Sequence, residues 1–267
     1  MHPIERLRYV ARASGADQRV LVRETAGALR GLGVDPAGLV TSARRIVERH
    51  PSAGALWWLC ARMLAATEPH REGASCVDAI EADPTPELLL DDLPDEATVT
   101  VLGWPDLAAE SLLRRGDASV LVIDVGDEGS SLVRRFDRAD IAAELVDPSR
   151  LSAAVLASDV VLIEATAAGP DAALCPVGSR AAASVAYCSE VPVWLVAGVG
   201  RRLPSAMFTA LCERVMGDAD PWDLDDEVVP AGLFHAIVGP SGRVEVSSAA
   251  LAAECPLTHE LLRPSAW

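Results

Sequence analysis

Through residues 1–67, apolar side chains recur every three to four positions, which places them on one face of a helix. Ile4, Leu7, Val10 and Ala11 form a first stripe, and Val20, Leu21, Thr25 and Leu29 a second. Gly31 and Gly33 stop the second helix. Asp35-Pro36 opens a third, which turns Leu39, Val40, Ala43, Ile46 and Val47 inward. Ser52 is placed to cap a fourth, with Leu56, Leu59, Cys60 and Met63 inward. Four short amphipathic helices predict a small bundle.

Residues 68–96 break this pattern. They are polar and acidic and carry Pro84, Pro86 and Pro94, so they read as a linker with room for a short helix near Glu87 to Leu90. From residue 97 onward, short apolar runs alternate with helical segments. Strands are predicted at 97–102, 119–125, 142–146, 159–164 and 191–197, and helices at 107–115, 130–139, 151–157 and 179–187. Strands apolar on both faces, separated by helices, predict an α/β domain over 97–267 with a parallel sheet covered on both sides. Such sheets bind ligands beyond the C-terminal ends of their strands. Here those ends are Gly103, Asp124, Glu164 to Thr166, and Gly198 to Arg202.

Charge narrows the chemistry. Twenty-three basic residues face 39 acidic ones, for a net charge of −16, and every basic residue is arginine. Without lysine there is no P-loop lysine, Schiff-base lysine or lysine general base. The acidic field argues against direct nucleic-acid binding but leaves room for a local arginine pocket that holds one small anion. Gly198-Val199-Gly200 lacks the third glycine of a dinucleotide fingerprint, so no cofactor is expected.

The six cysteines (60, 76, 175, 188, 212 and 255) form no C-x-x-C pair and read as free thiols in a reducing cytoplasm. The histidines are scattered, so no metal site is expected. No apolar run is long enough to span a membrane, and residues 1–12 do not read as a signal peptide.

Four segments, His50 to Trp57, Val99 to Gly103, Glu164 to Val196 and Glu227 to Val238, in this order resemble the α/β/δ subunit family of translation initiation factor 2B. The enzyme relatives of that family are methylthioribose-1-phosphate isomerase and ribose-1,5-bisphosphate isomerase. His50-Pro51-Ser52-Ala53-Gly54-Ala55-Leu56-Trp57 is similar to the family's R-P-T-x-x-x-L at the last bundle helix. Val99-Thr100-Val101-Leu102-Gly103 stands where the family has I-L-T-H-(S/C). Glu164-Ala165-Thr166, then Cys175-Pro176-Val177-Gly178-Ser179-Arg180, resemble G-A-(D/E) and N-K-I-G-T; Val191 to Val196 follows as v-P-f-y-V. The segment 227–238 resembles (d/e)-x-v-P-x-x-l-i-t-x-i-i. The resemblance covers about residues 40–246.

It implies a helical domain followed by a Rossmann-like domain, commonly assembled as dimers. In the enzymes it implies isomerisation of an aldose phosphate to a ketose phosphate by a cysteine and an aspartate in the interdomain cleft. Those two positions fall at Gly103 and Thr166. Glycine has no side chain, and a threonine hydroxyl is a poor general base at neutral pH. With a small shift of alignment, Glu164 would partly replace the lost carboxylate. The family's lysine falls at Pro176 and its arginine at His50. The expectation is therefore a factor-2B-like, non-catalytic protein that binds a sugar phosphate, nucleotide or protein partner. The alternative is an isomerase with an altered site.

Candidate ligand residues follow from the strand ends. Gly178-Ser179 begins a helix and offers N–H donors to a phosphate, or serves as an ordinary cap. Arg180, Arg201 and Arg202 are placed to clamp an anion there, or pair with acids. Asp124 either orients a sugar hydroxyl or caps the next helix. Glu164, at the end of an apolar strand, must find a partner or shift its pKa. Pairing with a second copy or a related chain is expected, with Met207, Phe208 and Leu211 as apolar candidates for the contact.

Overall fold

The computed structural model describes residues 17–30, 35–217 and 219–263. The stripe at Ile4 to Ala11 and the stop at Gly31 and Gly33 lie outside the described residues. Among the described residues five helices precede the first strand: α1 (Gln18–Arg30), α2 (Pro36–Arg49), α3 (Gly54–Ala65), α4 (Pro69–Glu81) and α5 (Thr85–Asp92). Asp35 caps α2 through the backbone N–H groups of Ala37 and Gly38. Ser52 does not cap α3; Ala53 takes that position without a side-chain bond. α3 is apolar on every side and runs through the centre of the helical lobe, with Leu56, Trp57, Leu59 and Cys60 fully buried.

The stretch read as a linker is mostly helix. α4 packs on α1 and α3 and adds Cys76 and Ile80 to the helical core. Its apolar positions are few and spaced among acids, which hid the period. α5 instead packs under the sheet through Leu89.

The α/β part contains β1 (Thr98–Leu102), α6 (Asp106–Arg115), β2 (Ser119–Ile123), α7 (Gly129–Asp137), β3 (Ala143–Val146), α8 (Leu151–Leu156) and β4 (Val160–Glu164). It continues with β5 (Ala167–Ala168), β6 (Ala172–Pro176), α9 (Ser179–Cys188), β7 (Val193–Val196), α10 (Ser205–Met216), β8 (Asp226–Pro230), β9 (Ala236–Gly239), β10 (Gly242–Glu245) and α11 (His259–Leu262). The main sheet has the order β10-β9-β7-β4-β1-β2-β3. Six strands run parallel, and only β10 is antiparallel to its neighbour. Alternate side chains feed opposite faces. Val99, Val101, Val120 and Val122 pack against α6 and α7, while Leu102, Ile123, Val161 and Ile163 pack against α8 and α9.

The chain leaves β1 toward β2 on one side and returns to β4 on the other, so the β1–β4 boundary is the topological switch point. A second sheet, β5-β6-β8, is antiparallel. Its alanine-rich strands carry little β-signal and were not legible in the sequence. Ala167 and Leu174 of this sheet join the helical core, together with Leu203, Met207, Phe208, Leu211 and Leu261. Met207, Phe208 and Leu211 are therefore internal core and do not form an outer contact surface.

Candidate functional site

A cleft of about 360 Å³ opens beyond the switch point, between the helical lobe and the sheet. Trp104 to Asp106 after β1 and Glu164 to Thr166 after β4 line its sheet side, with Arg201, Glu128, Pro176 and Asp225. Gln18, Leu21 and Arg49 to Ala53 line the helical side.

The two walls are joined by direct bonds. Thr166 O accepts from Gly54 N–H at 3.1 Å and from Gln18 Nε2 at 3.1 Å. Gln18 Oε1 accepts from Ala55 N–H at 2.9 Å. α3 can approach this closely because Gly54 has no Cβ; one there would sit 2.7 Å from Thr166 O. The Thr166 hydroxyl donates to Leu174 O at 3.1 Å, so it is already committed to backbone. Gly103 has φ +60, the left-handed region that side-chain-bearing residues disfavour. A Cβ there would lie 3.2 Å from Val125 Cγ2. The local backbone thus disfavours a cysteine at this position.

Glu164 and Arg201 form the floor. The side chain of Glu164 is 9% exposed and that of Arg201 4%, and Arg201 Nη2 lies 3.7 Å from Glu164 Oε1. Glu164 Oε2 accepts from Leu107 N–H at 2.8 Å and Ala108 N–H at 3.2 Å, the first turn of α6. A carboxylate there satisfies orphan donors and meets the positive end of the helix dipole. Among the described residues the ion-pair partner of the Arg201 guanidinium is Glu164, and Arg201 lines the cleft.

Burial pushes the Glu164 carboxyl above its ordinary range, against the opposing pull of Arg201. Burial also raises Asp106, helped by the nearby Asp17 and resisted by Arg201 and Arg19. Asp226, beside the cleft, is pushed up to about 7 by burial and by Asp225, although Ser52 hydrogen-bonds it.

The other candidates are distributed elsewhere. Asp124 caps α7, with Oδ1 accepting from Gly129 N–H at 3.1 Å. Gly178 is the residue before α9, and Ser179 is fully buried outside the cleft lining. The first turn of α9 is taken by Glu227, whose Oε1 accepts from Arg180 N–H at 2.9 Å. The Arg180 side chain is exposed. Arg202 pairs with Glu254 at 2.8 Å and donates to Ala250 O. Of the three arginines only Arg201 reaches the cleft, so the three do not converge on the α9 start.

The loop that presents Arg201 is clamped by two carboxylates. Glu254 Oε2 accepts from the N–H groups of Gly200 (3.0 Å) and Arg202 (3.2 Å). Asp83 accepts from Val199 N–H at 2.8 Å and from Thr85.

Sequence reasoning missed Asp106, Gln18, Trp104, Glu128 and Asp225. Asp106 carried a usable signal, an acid just past a strand end and a proline. Gln18 carried a fainter one, an amide one turn before an apolar stripe. Burial pushes the Cys60 and Cys76 thiols up to about 12 and Cys212 to about 11, away from nucleophile range. Among the described residues no cluster of metal-ligating side chains is found, and no helix is long and apolar enough to cross a membrane.

A helical lobe on a parallel sheet, with a polar cleft at the switch point, defines a two-part α/β protein. Solved structures narrow the fold. The Pyrococcus horikoshii OT3 translation initiation factor eIF-2B superposes with a TM-score of 0.75 at 13% identity, over 91% of this chain and 96% of that one. eIF2B beta from Chaetomium thermophilum gives 0.69 at 13% identity, covering 93% and 89%. A chain of the tetrameric eIF2B-beta2-delta2 complex from C. thermophilum gives 0.68 at 15% identity, covering 93% and 91%. The chain shares the fold of these factor 2B subunits. No protein-family model and no curated protein matches the sequence.

Proposed function

We propose that the protein is a factor-2B-like, non-isomerising binder of a small phosphorylated, hydroxyl-rich ligand, a sugar phosphate or nucleotide, held in the cleft at the switch point. One observation carries the reading: Arg201, 4% exposed, stands in the cleft lining as a cation whose ion-pair partner among the described residues is Glu164, at 3.7 Å. Buried donors demand acceptors, and an oxygen-rich anion supplies them. Asp106 and Glu128 can accept from ligand hydroxyls. The positions where the family's enzymes keep their cysteine and aspartate offer no acid–base group here.

A second reading, an isomerase with an altered site, is favoured by the raised carboxyl of Glu164 next to that of Asp106. One experiment separates the two. Titration calorimetry measures binding of ribose 5-phosphate, methylthioribose 1-phosphate and AMP, and NMR follows each mixture for ketose product. Binding without turnover, with affinity lowered about tenfold or more in Arg201→Gln, is the expected result. Turnover at an enzymatic rate establishes the second reading, and no binding by any of them removes the first. Assembly with a second copy or a related chain belongs to the same reading; light scattering showing a monomer at micromolar concentration removes it.

A further inference from the structure

The N–H groups that open the helix after the first strand are where open α/β sheets seat phosphates. Here they are filled from within. The Glu164 carboxylate accepts from Leu107 and Ala108 and lies beside Arg201, so it stands where an external anion would sit. Arg201 is the buried cation of the cleft lining, since Arg49 is exposed on the rim. The remaining polar lining includes Asp106, Glu128 and Asp225, all carboxyls.

Resting on the ligand reading above, we propose that Glu164 is a built-in anion that fills the α6 seat and limits the cleft to polyhydroxylated ligands bearing one anionic group. Arg201 takes that group, and the carboxyls take hydroxyl donors. A second phosphate finds its natural seat occupied and lies instead against Asp106, Glu128 or Asp225, where like charge repels it.

The test uses the full chain at about pH 8, where the raised Glu164 carboxyl is ionised, as wild type and Glu164→Ala, with Glu164→Gln as a variant that keeps an acceptor oxygen. In wild type, ribose 5-phosphate is expected to bind at least tenfold tighter than ribose 1,5-bisphosphate. In Glu164→Ala, inorganic phosphate alone is expected to raise the melting temperature, because α6 and Arg201 now lack their anion. The same phosphate raises wild type and Glu164→Gln by clearly less, because there only Arg201 is open to it, and Glu164→Ala binds the bisphosphate better than wild type does. Tighter wild-type binding of the bisphosphate, or a folded Glu164→Ala indifferent to phosphate, overturns the proposal. If Glu164→Ala does not fold even with phosphate, the wild-type ranking decides. If wild type binds neither sugar phosphate, the ligand reading fails, while the phosphate response of Glu164→Ala still reports on the seat.

Discussion

Gly54→Ala puts two opposing rules in contest. Replacing a helical glycine by alanine ordinarily stabilises by roughly 0.5–1 kcal/mol, and less in a first turn. Against this, the new Cβ would stand 2.7 Å from Thr166 O, 2.9 Å from Ala167 Cβ and 3.0 Å from Ala167 Cα. None of these is the free end of a flexible side chain. α3 must move away, which stretches the Gly54 N–H to Thr166 O bond, worth about 1 kcal/mol. Overpacking costs about 1–3 kcal/mol more. The clash outweighs the propensity, and a net loss of about 2–3 kcal/mol is expected. For a chain of this size that is a fall in melting temperature of roughly 4–12 °C. Scanning calorimetry measures it, with Gly232→Ala as control, because a Cβ there meets nothing within 4 Å. A Gly54→Ala protein as stable as wild type would refute the claim that the cleft walls touch here.

Three further outcomes are expected. Gly103→Cys introduces a thiol at the strand end but should cost about 1–2 kcal/mol from the positive φ, and product assays should find no aldose–ketose turnover. Glu254→Ala should lose about 2–4 kcal/mol in urea unfolding and weaken ligand binding, because it frees the Arg201 loop and strands Arg202. Glu164, Asp106 and Asp226 have folded pKa values above their unfolded ones near about 4, so the folded state holds more protons between there and about 7. Their contribution is full at the acid end of that window and falls as pH rises through it; the urea midpoint should be higher near about pH 5 than about pH 8, and a flat profile in wild type would contradict this.

The parallel sheet was legible because its strands are short apolar runs with clear ends: Ser119 to Ile123 needs no tertiary context to read as a buried strand. The cleft was legible only by position. Strand ends pointed to Glu164 and Arg201, and topology put both at the floor. Arg202 and Asp124 satisfied the same positional rule but meet other partners, and Arg180 satisfied it but is exposed; no local pattern reveals which group a side chain will meet. Glu227 and Glu254 lie 47 and 52 residues from the groups they bind, a pairing set by three-dimensional return of the chain. The strands β5 and β6 escaped notice because alanine favours neither period. The helix α4 escaped notice because its burial rests on Gly73, Cys76 and Ile80 among charges.

The helical lobe borrows much of its interior from distant sequence. Leu203, Met207, Phe208, Leu211 and Leu261 fill the space around Trp57 and Trp58, and the Trp58 indole N–H is taken by Glu254 O. Arg44 and Arg214 reach the carbonyls of Glu260 and Leu261. During synthesis, then, the helices that emerge first have no finished core to fold around. They wait some 140 to 200 residues for the segments that close it, at elongation rates of about 5–20 residues per second. For about 7 to 40 seconds two tryptophans and their neighbours lack their final cover, which makes this lobe the natural client of a chaperone and the part least suited to expression by itself.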